Sequence, residues 1–226
     1  DSMGSVEGYH SGTEIDSNIA IGTNAMLGGD LGNNNVDFKS NIAIGQNALD
    51  ATSTNAQVGV IAIGFNALTD MTTGGGSTGG NTVIGYEAAK QTTTGGGNTV
   101  LGYEALNGDS DGDGADNTSL GHKSLHDAVS PSKNVAIGDS AMRAMNGTAN
   151  GIAQCIAIGA NAFYGNADNT TTDTNGTIAI GYQALFSLTE GQYNTAIGYE
   201  SMIYQTDGDK NTTLGYKAFR TSDNGE

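Results

Sequence analysis

The segment with the clearest capacity for chemistry is acidic and covers residues 107–116, NGDSDGDGAD. Asp109, Asp111 and Asp113 alternate with small residues and are followed by glycine, an order in which carboxylates converge on Ca²⁺ around a tight turn. A complete EF-hand loop also needs an acid at its twelfth place, where this chain has an apolar residue. Asp116, or a residue of another copy, would have to substitute. The pattern predicts a stabilising calcium site, and a solvated acidic loop is the alternative.

Aromatic residues recur at one fixed position of a short repeat, the sixth. Stacked along an axis, they would form a broken ladder. Such a ladder could bind sugar rings, because amphipathic aromatic side chains suit saccharide faces. It could equally be structural packing between coils or chains. The six residues, which we consider possible ligand-facing aromatics, are Phe65, Tyr86, Tyr103, Tyr182, Tyr199 and Tyr216.

Two histidines lie near that aromatic position. His122 occupies it in one copy and His126 follows four residues later. A metal-binding pair is one interpretation; a histidine replacing tyrosine, with a second histidine in a loop, is the other. No Ser-His-Asp set, no paired buried acids and no phosphate-binding loop is evident, since the glycine-rich stretches lack a following Lys or helix. We therefore expect no catalytic residues, and no cofactor other than calcium.

The composition restricts the partners and the fold. Eight Lys and Arg stand against 24 Asp and Glu, a net charge of −16. This balance argues against nucleic acid, whose phosphates need basic residues, and it favours solubility and divalent cations. No apolar run is long enough to insert into a membrane. Leu, Ile, Val and Phe make up only 40 of 226 residues, which fits either a disordered chain or a thin solenoid.

An internal repeat decides between disorder and solenoid. A nine-residue unit, typified by NTAIGYESM at residues 194–202, occurs eleven times, and its glycines are spaced 17 to 23 residues apart. A fixed unit with connections of variable length is typical of a solenoid. The predicted organisation is a lead-in over 1–17, an eleven-repeat β-roll over 18–219 and a tail over 220–226. The fifth position is always glycine: Gly22, Gly45, Gly64, Gly85, Gly102, Gly121, Gly138, Gly159, Gly181, Gly198 and Gly215.

Each position of the unit predicts a structural role. The fourth is always Ile or Leu and shares a strand face with the second, while the small third residue points the other way. We expect a strand, a corner at glycine that allows positive φ or close backbone contact, and a second short strand. On this view the small-residue face is the uncovered one. Asn at the first position, in eight copies, either forms a side-chain ladder or favours the preceding turn.

The unit N-T-A-I-G-Y-x-A-L resembles repeats of phage tail-fibre and related surface proteins. It is also similar to the head repeats of trimeric autotransporter adhesins, whose unit is N-S-x-A-I-G. The resemblance covers roughly residues 18–219. It implies a left-handed parallel β-roll in which three identical chains coil side by side into one rod. A three-fold arrangement would also cover the exposed face in every layer.

We therefore expect an all-β, parallel β-solenoid of eleven short repeats that is intertwined as a homotrimer. The expected function is non-enzymatic. The chain would be a fibre segment of a virion tail fibre or a cell-surface appendage, and thus extracellular. Its longest connections, Leu27–Ser40 and Tyr164–Gly176, would bind a host receptor or a cell-surface glycan. The alternative is a structural subunit of an extracellular filament that stacks end to end.

Overall fold

A computed structural model describes residues 15–27, 38–50, 57–71, 80–108, 114–145, 152–165 and 174–220. All of its regular elements are β-strands. The eleven strands of the main sheet are β2 (Ile19–Ile21), β4 (Ile42–Ile44), β6 (Ile61–Ile63), β7 (Thr82–Ile84), β8 (Thr99–Leu101), β9 (Thr118–Leu120), β10 (Val135–Ile137), β11 (Ile156–Ile158), β12 (Ile178–Ile180), β13 (Thr195–Ile197) and β14 (Thr212–Leu214). Three shorter strands form a second sheet: β1 (Ile15–Asp16), β3 (Phe38–Lys39) and β5 (Gln57–Val58).

The main sheet is parallel and follows the chain order from β2 to β14 without a crossover. Every strand occupies positions two to four of one repeat, and equivalent residues pair directly, as Ala136 does with Ala157. The coils therefore stack in register, and the predicted β-solenoid of eleven repeats is confirmed. In the part of the chain that the structure describes, no helix has the length and apolar character needed to cross a membrane.

The interior of the coil is built from small residues, which reverses the expected orientation of the strands. The third-position side chains are buried from β4 to β13, whereas no residue at the second or fourth position is buried. Ala136 has no exposed surface, while its neighbour Ile137 is partly exposed. The walls of each coil lie close together, so alanine and not isoleucine fits between them. Our expectation that the small-residue face would be uncovered is wrong.

The repeat glycines combine positive φ with close backbone contact, the two properties that the sequence analysis considered. Gly102 has φ = 153°, a conformation that L side chains rarely adopt. A Cβ placed on it would lie 2.2 Å from the carbonyl oxygen of Gly121 in the next coil. The same contact with the next repeat glycine recurs in every copy except the last, at Gly215. The glycine column is therefore fixed by backbone conformation and by coil-to-coil contact together.

Beyond the glycine, the predicted second strand is replaced by a series of turns. Residues at the seventh and ninth positions have positive φ, for example Lys123 (53°) and Leu125 (52°). The backbone still bonds between coils: the N–H of Leu125 donates to the carbonyl of Ala141, at 2.9 Å. The eighth and ninth side chains are buried in all but the last coil. The prediction of a second short strand there is therefore wrong, and buried turns take its place.

Polar substitutions in this interior occur as matched pairs. Ser119 replaces the usual small apolar residue at the third position, and Ser124 replaces alanine at the eighth. Their hydroxyl oxygens lie 2.6 Å apart. Ser201 and Thr213 form a similar pair at 2.7 Å. Positions three and eight thus face each other across the coil, and a buried hydroxyl at one is satisfied by a hydroxyl at the other.

Candidate functional site

The largest candidate site is the outer side of the main sheet, formed by the second and fourth residues of every repeat; we call it the outward face. Its twenty-two residues are aliphatic or Thr, and none is charged, in a chain of net charge −16. Several are well exposed: Ile19 by 48%, Ile21 by 56% and Leu101 by 51%. An uncharged strip running the length of an acidic solenoid is typical of a surface that another molecule covers.

Aromatic rings form a second linear feature, which we call the ring column. In its first part Phe65, Tyr86, Tyr103 and His122 stack with centroids 5.0 to 5.5 Å apart. In its second part Tyr182, Tyr199 and Tyr216 stack at 5.1 and 5.4 Å. The predicted broken ladder is confirmed. Because each ring covers the face of the next, the edges and hydroxyl groups are the accessible parts along most of the column.

The two histidines serve different contacts. His122 stacks on Tyr103, and its Nδ1 lies 2.6 Å from Asp139 Oδ1. His126 lies between two carboxylates, with Nδ1 2.6 Å from Asp127 and Nε2 3.2 Å from Glu104. The histidines are thus bound to separate acids. No group of three metal-ligating side chains is present among the residues that the structure describes.

A small network of charged groups surrounds Glu104. Its carboxylate lies 3.2 Å from Lys123 Nζ and also contacts His126. Burial acts to raise the pKa of Glu104, but hydrogen bonds from Tyr103 and Lys123 and the charges of Lys123 and His126 outweigh it, so the pKa is lowered. Burial also acts to raise the pKa of Asp127, but the hydrogen bond from His126 and the charges of His126, Arg143 and Lys123 together outweigh it, so this pKa is lowered as well. Both carboxylates are therefore stabilised in the charged form.

The first-position asparagines form a buried, hydrogen-bonded ladder. Of the two interpretations that the sequence left open, a side-chain ladder or a preference for the preceding turn, the ladder is confirmed. Asn117, only 1% exposed, donates from Nδ2 to the carbonyl of Pro131 at 2.7 Å and to Asn98 Oδ1 at 3.1 Å. Its Oδ1 accepts the backbone N–H of Asn134 at 3.0 Å. One side chain therefore satisfies the donors and acceptors of the coils before and after it. The ladder holds the coils together without itself being accessible.

Cys155 interrupts this ladder. Its Sγ donates to the carbonyl of Thr174 at 3.1 Å, the position that an asparagine amide contacts in other coils. Burial raises the pKa of the thiol to about 11, although backbone N–H groups of Thr177 and Gly176 oppose the shift. Thr177 follows at the next first position, and its buried hydroxyl has no hydrogen-bond partner among the residues that the structure describes. Two successive coils thus lack the asparagine amide.

Known proteins do not decide the identity of the chain. Comparison with protein-family models, with curated proteins and with solved structures finds no match. The sites must therefore be judged on their own geometry. The outward face is the more extensive of the two surfaces, and the ring column runs beside it along the same coils.

The predicted calcium site lies mostly outside the described residues. Asp109, Asp111 and Asp113 belong to that part of the chain. Asp116 is described: it is exposed, has φ = 59°, and its backbone N–H donates to the carbonyl of Gly96 at 2.9 Å. Most of the two longest connections, residues 28–37 and 166–173, also lies outside the described residues. Sequence reasoning missed the outward face as a surface, although the absence of charge at two positions of every unit was a signal for it.

Proposed function

We propose that the chain is a non-enzymatic segment of a trimeric fibre, in a virion tail fibre or a cell-surface appendage. The observation that carries this proposal is the stack of eleven parallel, in-register strands. Successive strands lie about 4.8 Å apart, so the stack is roughly 50 Å long. Close contacts between the repeat glycines of successive coils resist bending. Hydrogen bonds from asparagine amides to the backbone of the next coil do the same. Such a unit suits a rigid spacer that carries load or holds a binding site away from a surface.

Assembly into several copies is supported by the outward face. An uncharged aliphatic strip exposed along a rod is unfavourable in water, at about 25 cal/mol for each Å² of apolar surface. Covering this strip with identical chains removes it in every layer at once. Three copies are the arrangement that the resemblance to adhesin heads implies, and the connections between coils would then project outward to contact a host or a surface.

The mass in solution tests the rod and its assembly. Size-exclusion chromatography with light scattering should give a single species of three times the 22.9 kDa chain mass. Negative-stain electron microscopy should show rods of uniform length. A monomer at micromolar concentration would contradict the trimeric fibre.

Attachment requires a separate test. A variant in which residues 166–173 are replaced by a short Gly-Ser linker should keep its mass and shape but bind less to bacterial cells. The same replacement over 146–151 is the matched control, because that connection is not one of the two that the sequence analysis predicts to bind. Equal binding by both variants and the unmodified chain would argue against adhesion through the longer connection.

A structural filament is the second candidate, and the last described coil favours it. Among the described strands, β14 pairs only with β13, and β2 at the other end pairs only with β4. Leu214 and Tyr216 are 77% and 71% exposed. Because all strands are parallel, β2 of a second copy has the polarity needed to pair with β14. Open-ended polymers of increasing length in electron micrographs would favour this filament over a discrete trimer.

A further inference from the structure

We propose that the chain forms an intramolecular isopeptide bond between the amine of Lys90 and the carboxamide of Asn66, with Glu87 transferring the protons. The bond joins the third coil to the fourth covalently. Its site lies outside the outward face and outside the buried asparagine ladder. The inference goes beyond the proposed fibre, because it assigns a covalent modification to a single chain whatever its assembly.

The three reacting side chains meet at one carboxylate oxygen. Lys90 Nζ lies 3.3 Å from Glu87 Oε1, and Asn66 Nδ2 donates to the same oxygen at 3.2 Å. Asn66 and Glu87 occupy the seventh position of successive coils, and parallel pairing in register brings such equivalent residues within about 5 Å of each other. An amine, a group that can carry its protons and an amide therefore lie within two hydrogen-bond lengths of one another.

A neighbouring asparagine fixes the orientation of the Asn66 carboxamide. Asn47, at the seventh position of the second coil, donates from Nδ2 to Asn66 Oδ1 at 2.9 Å. The carboxamide oxygen of Asn66 thus points to the preceding coil, and its nitrogen points to Glu87. A donor on that oxygen stabilises the negative charge that develops when an amine attacks the carbon. The nitrogen that must leave lies beside the group that can protonate it.

The reaction exchanges one amide for another and needs no oxidant, reductant or cofactor. Glu87 takes a proton from the Lys90 ammonium group as a general base. The neutral Nζ attacks Cγ of Asn66, a C–N bond forms, and the bond from Cγ to Nδ2 breaks. Two protons leave Nζ in total: one reaches Nδ2 through Glu87 and departs in ammonia, and the other converts that ammonia to ammonium. The carboxylate of Glu87 is regenerated.

Water has limited access to this site. The side chains of Lys90 and Glu87 are 32% and 20% exposed, and Asn66 is partly buried. Burial also raises the pKa of Asp70, which pairs with Lys90 through the backbone, while the charge of Lys90 opposes that shift. A site from which water is partly excluded favours attack by the amine over hydrolysis of the amide.

The chain also contains a matched ion pair that lacks the carboxamide. Lys123 Nζ lies 3.2 Å from Glu104 Oε2, and these side chains are 25% and 16% exposed. The seventh position of the coil before Glu104 is Glu87, which has no amide nitrogen to lose. Lys123 should therefore remain a free amine, although its contact with a carboxylate resembles that of Lys90.

The mass of the purified full chain tests the cross-link. Electrospray mass spectrometry should give a value about 17 Da below the sequence mass, because one ammonia is lost. Trypsin cuts after lysine only when its amine is free. The digest should therefore contain residues 40–123 as one looped peptide that is uncut after Lys90. The full sequence mass, together with cleavage after Lys90, would overturn the proposal.

Three variants assign the residues. Lys90→Arg and Glu87→Gln should each show the full sequence mass and keep the circular dichroism spectrum of the parent chain, whereas Lys123→Arg should keep the deficit. A deficit that persists in Lys90→Arg would come from elsewhere, such as a succinimide at an Asn-Gly pair, and would overturn the cross-link. A looped peptide in Glu87→Gln would overturn the role of Glu87. None of these outcomes depends on the number of chains in the fibre.

Discussion

The asparagine ladder and the outward face run along the same coils. Polar side chains are buried in the ladder, whereas apolar side chains are exposed on the outward face. Asn98, Asn117 and Asn134 are polar and 1% exposed. Ile21 and Leu101, only a few residues along their units, are apolar and more than half exposed. Burial in this solenoid is therefore set by the position within the coil. A buried amide is tolerated because neighbouring coils complete its hydrogen bonds, and the exposed aliphatic column is the surface that we propose other copies of the chain cover.

Removing one amide from the ladder should cause the largest loss of stability. Asn117→Ala leaves the buried N–H of Asn134 without its partner and removes one of the two hydrogen bonds that the carbonyl of Pro131 accepts, while the bond from the N–H of Ala115 remains. We expect the free energy of unfolding to fall by about 3 kcal/mol, because an unsatisfied buried N–H costs roughly 1 to 3 kcal/mol and each lost hydrogen bond costs about 1 kcal/mol more. Chemical denaturation monitored by circular dichroism measures the change.

Asn211→Ala is the matched control for that substitution. Asn211 lies in the last coil and is only half buried, with its amide bonded to Asn194. We expect a loss of about 1 kcal/mol or less there. Equal losses at both positions would mean that the ladder does not act through buried hydrogen bonds between successive coils.

Restoring the asparagine at one first position that lacks it should have a smaller, opposite effect. Cys155→Asn supplies an amide donor for the carbonyl of Thr174 and an acceptor for the N–H of Thr177. We expect a gain of about 1 kcal/mol, the typical net value of a buried hydrogen bond. A clear loss of stability would show that this coil is too narrow for an amide. Cys155→Ser, which keeps the small volume, is the control.

Acid should weaken the charged network that contains Glu104 and Asp127. The pKa values of Glu104 and Asp127 are lowered in the fold, so their charged forms contribute stability above the unfolded values of 4.5 and 3.8. This contribution is lost as the pH falls through the lower, folded pKa values. The melting temperature should drop progressively below about pH 4.5, and Glu104→Gln should reduce the slope. An unchanged slope in that variant would contradict a role for the Glu104 network.

Calcium should have the smallest effect on stability. If Asp109, Asp111, Asp113 and Asp116 bind Ca²⁺, millimolar calcium should raise the melting temperature by a few degrees, because a ligand that binds the folded state alone stabilises it. Asp111→Asn should abolish the increase, while the distant Asp207→Asn should not. No difference between calcium and a chelator would remove the predicted site.

The sequence predicted which residues align in columns along the solenoid, but it did not predict which columns face the interior of the coil. A period of two shows that Ile137 and Val135 share a face and that Ala136 lies opposite them. It does not show which face lies inside, because that depends on the width of the coil. The repeat glycines were predictable, because a glycine at the same place in every unit indicates positive φ or close backbone contact. The asparagine ladder was one of two interpretations that the sequence left open. The turns after glycine were not, because positive φ at ordinary residues such as Lys123 and Leu125 has no distinct sequence signal.

The most direct test of the central claim compares two adjacent residues of β10. Ala136→Lys places a charge in the coil interior, whereas Ile137→Lys places one on the outward face. We expect Ala136→Lys to unfold the chain. A triple variant with Ile63→Lys, Ile137→Lys and Ile180→Lys should keep its β-type circular dichroism spectrum but fall to the mass of a single chain in light scattering. Loss of the spectrum in the triple variant, with Ala136→Lys still folded, would contradict the account.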